Sequence, residues 1–163
     1  MPFVCNFPFF SIVLSMFCGI VSSVLSGKTA KKLSIGLLCV NLALSASVLA
    51  YTLGTGESYV YMMGHFPAPW GNEIRAGVLE GVLASFFCTI MLLALVGGLR
   101  HIAQEIEPTK QNLYFIMVDL LLASLLALIY TNDLFTAYVF VEINTIAACG
   151  MIMIRQIGRS YVA

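Results

Sequence analysis

Residues 113–154 read LYFIMVDLLLASLLALIYTNDLFTAYVFVEINTIAACGMIMI, two apolar runs at 113–130 and 134–154 separated only by Thr131, Asn132 and Asp133. Each run is about the 20 residues that a helix needs to cross a hydrocarbon core about 30 Å thick. So short a connection makes them antiparallel neighbours, and its Asp or Asn is placed to cap the second helix. Further runs of the same kind lie at residues 7–26, 33–53 and 76–99. The fold class expected is therefore an all-α integral membrane protein, a single transmembrane domain of five helices. Composition agrees, with 60% hydrophobic and only 10% charged residues, where soluble domains carry about 25% charged. The net charge of zero and the lack of any charged block give no sign of a nucleic-acid partner.

Between the runs the chain is polar or broken. Gly27 and Lys28, Lys31 and Lys32 end the first, and the Gly54-Thr-Gly56 turn ends the second. Residues 57–75 hold His65, Pro67, Pro69 and Trp70 and are too polar and proline-broken to span, so they belong at or outside the interface. A polar connection is expected at residues 100–110, with Pro108 just before the next helix. Seven of the eight basic residues, Lys28, Lys31, Lys32, Arg100, Lys110, Arg155 and Arg159, fall on one side of this topology, and Arg75 alone falls on the other. Basic residues collect on the cytoplasmic side, which puts the N-terminus outside and the C-terminus in the cytoplasm. Trp70, Tyr59, Tyr61 and Tyr130 then gather at the outer boundary as an aromatic belt.

The five cysteines, Cys5, Cys18, Cys39, Cys88 and Cys149, are scattered through apolar runs and read as small packing residues. The spacing offers no metal site, no iron–sulfur ligand set, no phosphate loop and no haem histidine pair, so no cofactor and no catalytic site of the chain's own are expected. His65 and His101 fall in connections on opposite sides of the membrane and read as solvated loop residues.

Three acidic residues fall inside the runs. Glu142 lies nine residues past Asp133, about 13 Å deep at a rise of about 1.5 Å per residue, close to the midplane. Asp119, eleven residues before Tyr130 on the antiparallel run, reaches a similar depth of about 16 Å. Glu80 stays near the outer boundary, within reach of Arg75. A buried intramembrane carboxylate is costly and commonly marks an ion path. The same group held neutral by a hydrogen bond to a neighbouring helix is the alternative, and either reading accommodates Asn144 and Thr145 close by. Asn41 and the serines read as interhelical hydrogen-bonding groups.

Two stretches carry a resemblance. FPAPWGNEIR, residues 66–75, is similar to the segment entering the third helix of the antiporter-like membrane subunits shared by respiratory complex I, the Mrp cation/proton antiporters and membrane-bound energy-converting hydrogenases. DLFTAYVFVE, residues 133–142, resembles the fifth-helix signature of that family, which ends in its essential glutamate. The resemblance implies that Glu142 corresponds to the family's proton-relay glutamate, and Glu142, Asp119 and Asp133 are the candidate ion-translocation residues. It also implies a subunit of a prokaryotic cytoplasmic-membrane complex that couples redox chemistry or antiport to proton or sodium translocation. Its partners are then other membrane subunits, a peripheral redox module and the lipid bilayer.

The chain departs from the family in two respects. Gly77 stands where many relatives have an Asp, and no Lys lies inside any of the five runs to play the counter-lysine of the family's seventh helix. The resemblance extends to the first five of about fourteen helices. Two explanations are open: a split subunit whose remaining helices and lysine lie on a neighbouring polypeptide, and a reduced paralogue that fills a place in the assembly as a non-pumping scaffold. A self-contained homo-oligomeric transporter is a third.

Overall fold

A computed structural model describes residues 3–62 and 73–154 of the protein. His65, Trp70, Arg155, Arg159 and most of the 66–75 motif lie outside the described residues. A short 3-10 turn, Phe3–Asn6, leads into α1 (Phe7–Val24). Then come α2 (Gly27–Thr55), β1 (Tyr59–Met62), β2 (Glu73–Ala76), α3 (Val78–Glu105), α4 (Gln111–Tyr130) and α5 (Leu134–Ile154). All five α-helices are long and apolar enough to cross a membrane.

Two helices extend well beyond the apolar runs. α2 starts at Gly27, so Lys28, Lys31 and Lys32 ride on its first turns. At 29 residues it is about 43 Å long by the rise of about 1.5 Å per residue, which carries its basic end beyond a core about 30 Å thick. α3 likewise continues to Glu105, which moves Arg100 and His101 from the expected loop onto its last turns. Lysine and arginine are good helix formers, so the apolar boundary does not end the helix. α2 ends instead at Gly56, whose φ of 70° is the left-handed conformation that glycine adopts without strain and whose amide bonds the Thr52 carbonyl at 2.9 Å.

No strand is expected from the residue pattern, yet Tyr59–Met62 and Glu73–Ala76 pair antiparallel, Tyr59 opposite Ala76 and Met62 opposite Glu73. The aromatic and β-branched residues of Tyr59-Val-Tyr61 suit a half-buried strand. Ile74 also bridges Thr131. The Asn132 amide donates to the Glu73 carbonyl at 2.8 Å, and its side-chain amide donates to Glu73 Oε1 at 3.2 Å. The ribbon is thus strapped across the α4–α5 connection and fixes where α5 begins.

α4 is the central helix. It packs on α1, α2, α3 and α5, with Phe115, Val118, Leu122, Leu126 and Tyr130 among its buried side chains. α5 rests principally on α4, and only Ala147 and Ile154 along it are fully buried. Most of its surface is left uncovered, as Phe135 (75% exposed) and Ile146 (64%) show. Close approaches occur at glycines: Gly81 on α3 lies against the backbone of Leu49 on α2, and Gly150 on α5 against Met117 on α4. Small residues at helix contacts allow this proximity, which supplies packing where lipid removes the hydrophobic drive between helices. Cys5, Cys18 and Cys88 are buried and Cys39 and Cys149 face outward, all five as free thiols.

Candidate ion-translocation site

Asp133 is the residue just ahead of α5, and its carboxylate is used as the helix cap. Oδ2 accepts the Thr136 amide at 3.0 Å and the Thr136 hydroxyl at 2.7 Å, and Oδ1 accepts the Phe135 amide at 3.4 Å. The first turn of a helix has amides without intrahelical partners, and this carboxylate answers two of them. The Thr136 hydroxyl and then the Thr136 amide hold the Asp133 carboxyl below the usual carboxylate range. With the β-ribbon strap, the cap sets the starting point of α5 and so the depth of every residue along it.

Glu142 follows nine residues later, two and a half turns down α5. Its side chain is exposed on the surface of the chain, so these five helices do not themselves bury the carboxylate that the sequence places near mid-membrane depth. The physical reason is that α5 packs principally on α4, and Glu142 lies on its uncovered side. Tyr138, one turn earlier and also exposed, stands against the Glu142 carboxylate, and Thr145 one turn later donates its hydroxyl to the Glu142 backbone carbonyl at 2.8 Å. Among the described residues neither ion pair includes Glu142; the two are Arg75–Glu80 at 4.0 Å and Lys110–Glu107 at 3.4 Å.

Asp119 is placed very differently. It is fully buried (0% exposed) and is turned toward α1 rather than toward Glu142. Ser22 on α1 donates its hydroxyl to Asp119 Oδ2 at 3.0 Å, and Gly19 lies against the Asp119 Cβ. Ser34 on α2 approaches the same carboxyl without reaching hydrogen-bond geometry, so Ser34 Oγ and Asp119 Oδ1 are both buried and unpartnered among the described residues. The structure therefore does not bring the three candidate carboxylates together. Asp133 caps a helix end, Glu142 lies on an open helix face, and Asp119 sits inside the contact of α1, α2 and α4.

A further polar arrangement runs along the α1–α2 contact. Asn41 Nδ2 donates to Ser15 Oγ at 2.8 Å, and Ser15 in turn donates to the Ser11 carbonyl at 2.7 Å. The antiparallel run that sets Ser15 beside Asn41 carries Ser11 to the level of Ser45 and Ser22 to the level of Ser34. Ser11, Ser15 and Ser22 on α1 and Ser34, Asn41 and Ser45 on α2 are all buried, whereas most other residues of these faces are apolar. The four- and seven-residue spacings were available in the sequence as one helical face each. What the spacing could not supply is that the two faces meet each other and meet Asp119.

No family profile matches the chain. It is 37% identical over 111 residues to NADH-quinone oxidoreductase subunit N of Desulforudis audaxviator, a match over 68% of this chain and 22% of that protein. It is 28% identical over 109 residues to a Na(+)/H(+) antiporter subunit of Bacillus subtilis, over 67% of this chain and again 22% of the relative. The chain thus spans about a fifth of the length of these curated relatives. Its fold superimposes on a chain of the archaeal membrane-bound sulfane sulfur reductase complex with a TM-score of 0.81 at 16% identity, covering 98% of this chain and 32% of that one. A fold shared nearly end to end, sequence identity to subunits of two membrane systems, and five membrane-length helices converge: this multi-pass membrane protein belongs to the family of antiporter-like membrane subunits.

Proposed function

We propose that the chain is a membrane subunit of a multi-protein complex that couples redox chemistry or antiport to translocation of protons or sodium ions, and that Glu142 lies in the ion path. The observation that carries this reading is the place of Glu142: a carboxylate two and a half turns into a helix long enough to cross a membrane, on a face that these five helices leave open. A charge at that depth facing lipid costs several kcal/mol or more, so such residues face protein or a water-filled cavity. Further polypeptide covers this face of α5, whether continuous with these residues or separate from them, and supplies the cation or the water that Glu142 meets. That the relatives are more than four times the matched length supports this reading.

The basic residues support an orientation with the N-terminus outside in the cell membrane. Lys28, Lys31 and Lys32 at the start of α2, Arg100 near the end of α3 and Lys110 before α4 share one end of the helix bundle, and Arg75 in the ribbon lies at the other. Asp133, half-buried at the outer end of α5, then stands at the mouth of the path, and its cap fixes the depth of Glu142. The test is a pair of substitutions in the intact assembly. Glu142→Gln is expected to preserve assembly and abolish coupled translocation, whereas a scaffold role would leave translocation at the wild-type level under Glu142→Gln and show its defect only in assembly under Glu142→Leu.

A further inference from the structure

We propose that Asp119 is a proton-binding site inside the α1–α2–α4 contact: its carboxyl is protonated when these helices are packed and its O–H donates a hydrogen bond to Ser34. The proposal deepens the reading above for Asp119 alone and does not need Glu142 to carry ions.

An ionised carboxylate has only acceptor sites and, out of water, needs a cation or several donors to offset its desolvation. Asp119 is 0% exposed on a helix long and apolar enough to cross a membrane. Among the described residues neither ion pair includes it, and one donor reaches it, the Ser22 hydroxyl at 3.0 Å on Oδ2. The other titratable group against it is the Cys18 thiol of α1; no charged side chain of α2, α3, α5 or β2 is paired with it among the described residues. One or two neutral hydroxyls are a poor shell for a bare charge between three apolar helices.

The neutral acid fits the same surroundings. Oδ2 becomes the carbonyl oxygen that accepts from Ser22. Oδ1 becomes the hydroxyl, and the acceptor it needs is Ser34 Oγ, the buried oxygen on α2 that has no partner. One proton resolves both unpartnered atoms, and the hydrogen bonds then run from Ser22 on α1 through Asp119 on α4 to Ser34 on α2. Loss of the proton breaks this link and leaves a charge that only water entering between the helices, or movement of α1, can solvate. Proton binding at Asp119 therefore fastens α1 and α2 to α4.

The test is infrared spectroscopy of the full chain in its native membrane assembly, with carboxyl-labelled aspartate to isolate the aspartic-acid carbonyl stretch. A protonated-acid band is expected at neutral pH, lost in Asp119→Asn and moved to higher frequency in Ser34→Ala, where the acceptor is gone. Identical bands in wild type and Asp119→Asn overturn the protonated site, and an unmoved band in Ser34→Ala overturns Ser34 as the acceptor. Ser34→Ala, a near-isosteric change, still reports on the site if Asp119→Asn fails to assemble. The band is expected to survive Glu142→Gln, so failure here is separable from failure of the translocation reading.

Discussion

Replacing Gly81 by alanine places a methyl group against the backbone of α2. The new Cβ would lie 3.1 Å from Leu49 Cα, 3.2 Å from Leu49 Cβ and 3.4 Å from its Cδ1. Ordinary carbon contacts are about 3.5–4.0 Å, and the nearest obstacle is main chain, which cannot rotate away. α2 and α3 must therefore separate by a few tenths of an ångström along a contact that also buries Ala84, Cys88 and Leu95. Overpacking of this kind costs about 1–3 kcal/mol, and the helix-propensity gain of Gly→Ala returns about 0.5–1 of it. A net loss of up to about 2.5 kcal/mol, centred near 1, is expected, or up to roughly 10 °C in Tm at about 2–4 °C per kcal/mol for a chain of this size. Gly36→Ala is the control, since nothing lies within 4 Å of its added Cβ, and it is expected to be neutral or slightly stabilising. The assay is thermal unfolding in one detergent, read by thiol labelling of the buried cysteines after the exposed Cys39 and Cys149 are changed to serine. Gly81→Ala unfolding at or above the temperature of Gly36→Ala would refute the close α2–α3 contact.

Other perturbations test the remaining parts. Asp133→Ala removes the cap on Phe135 and Thr136, and hydrogen exchange in the first turn of α5 is expected to speed up while the rest of the helix is unchanged. Because the Asp133 carboxyl is held below its ordinary range, this cap is fully present above the ordinary carboxylate pKa and is lost as pH falls through the lowered value; a first turn that in the wild type is as unprotected at neutral pH as in Asp133→Ala would contradict it. A double-mutant cycle on Ser15→Ala and Asn41→Ala is expected to give a coupling of about 0.6 kcal/mol and no more than about 1.7, measured by unfolding in detergent; zero coupling would show that the 2.8 Å hydrogen bond contributes nothing. Cysteines introduced at Glu57 and Lys32 test the orientation: a membrane-impermeant thiol reagent added to whole cells is expected to label the first and spare the second, and the reverse pattern would invert the topology.

The five helices were legible because hydrocarbon leaves the backbone few alternatives, and apolar runs of about 20 residues separated by charges and turn residues can hardly fold otherwise. Their ends were less legible. Lys28, Lys31 and Lys32 read as a boundary, yet an aqueous helix carries lysine readily, so α2 continues through them. The β-ribbon was hidden because its two strands are four residues each and their pairing is a long-range contact without a sequence period. At the site, depth could be counted from Asp133 and Tyr130, but direction could not. Equal depth alone leaves room for Asp119 and Glu142 to communicate, and only the packing of α1 and α2 on α4 reveals that Asp119 is turned toward Ser22 and Ser34. The exposure of Glu142 was illegible for a related reason, since sequence counts depth in a membrane but not how many helices surround a given face.

On the reading proposed above, the open face of α5 presents Glu142 to an ion path completed by polypeptide beyond these five helices. The measurement that tests it most directly is ion uptake by membrane vesicles containing the intact assembly, driven by its own coupled reaction, with Glu142→Gln compared with wild type at equal assembly. Removing a relay carboxylate while keeping its shape is expected to reduce uptake at least tenfold, a change of about 1.4 kcal/mol or more in the limiting step. Uptake by Glu142→Gln at the wild-type rate would contradict the ion-path role and leave Glu142 as a packing residue.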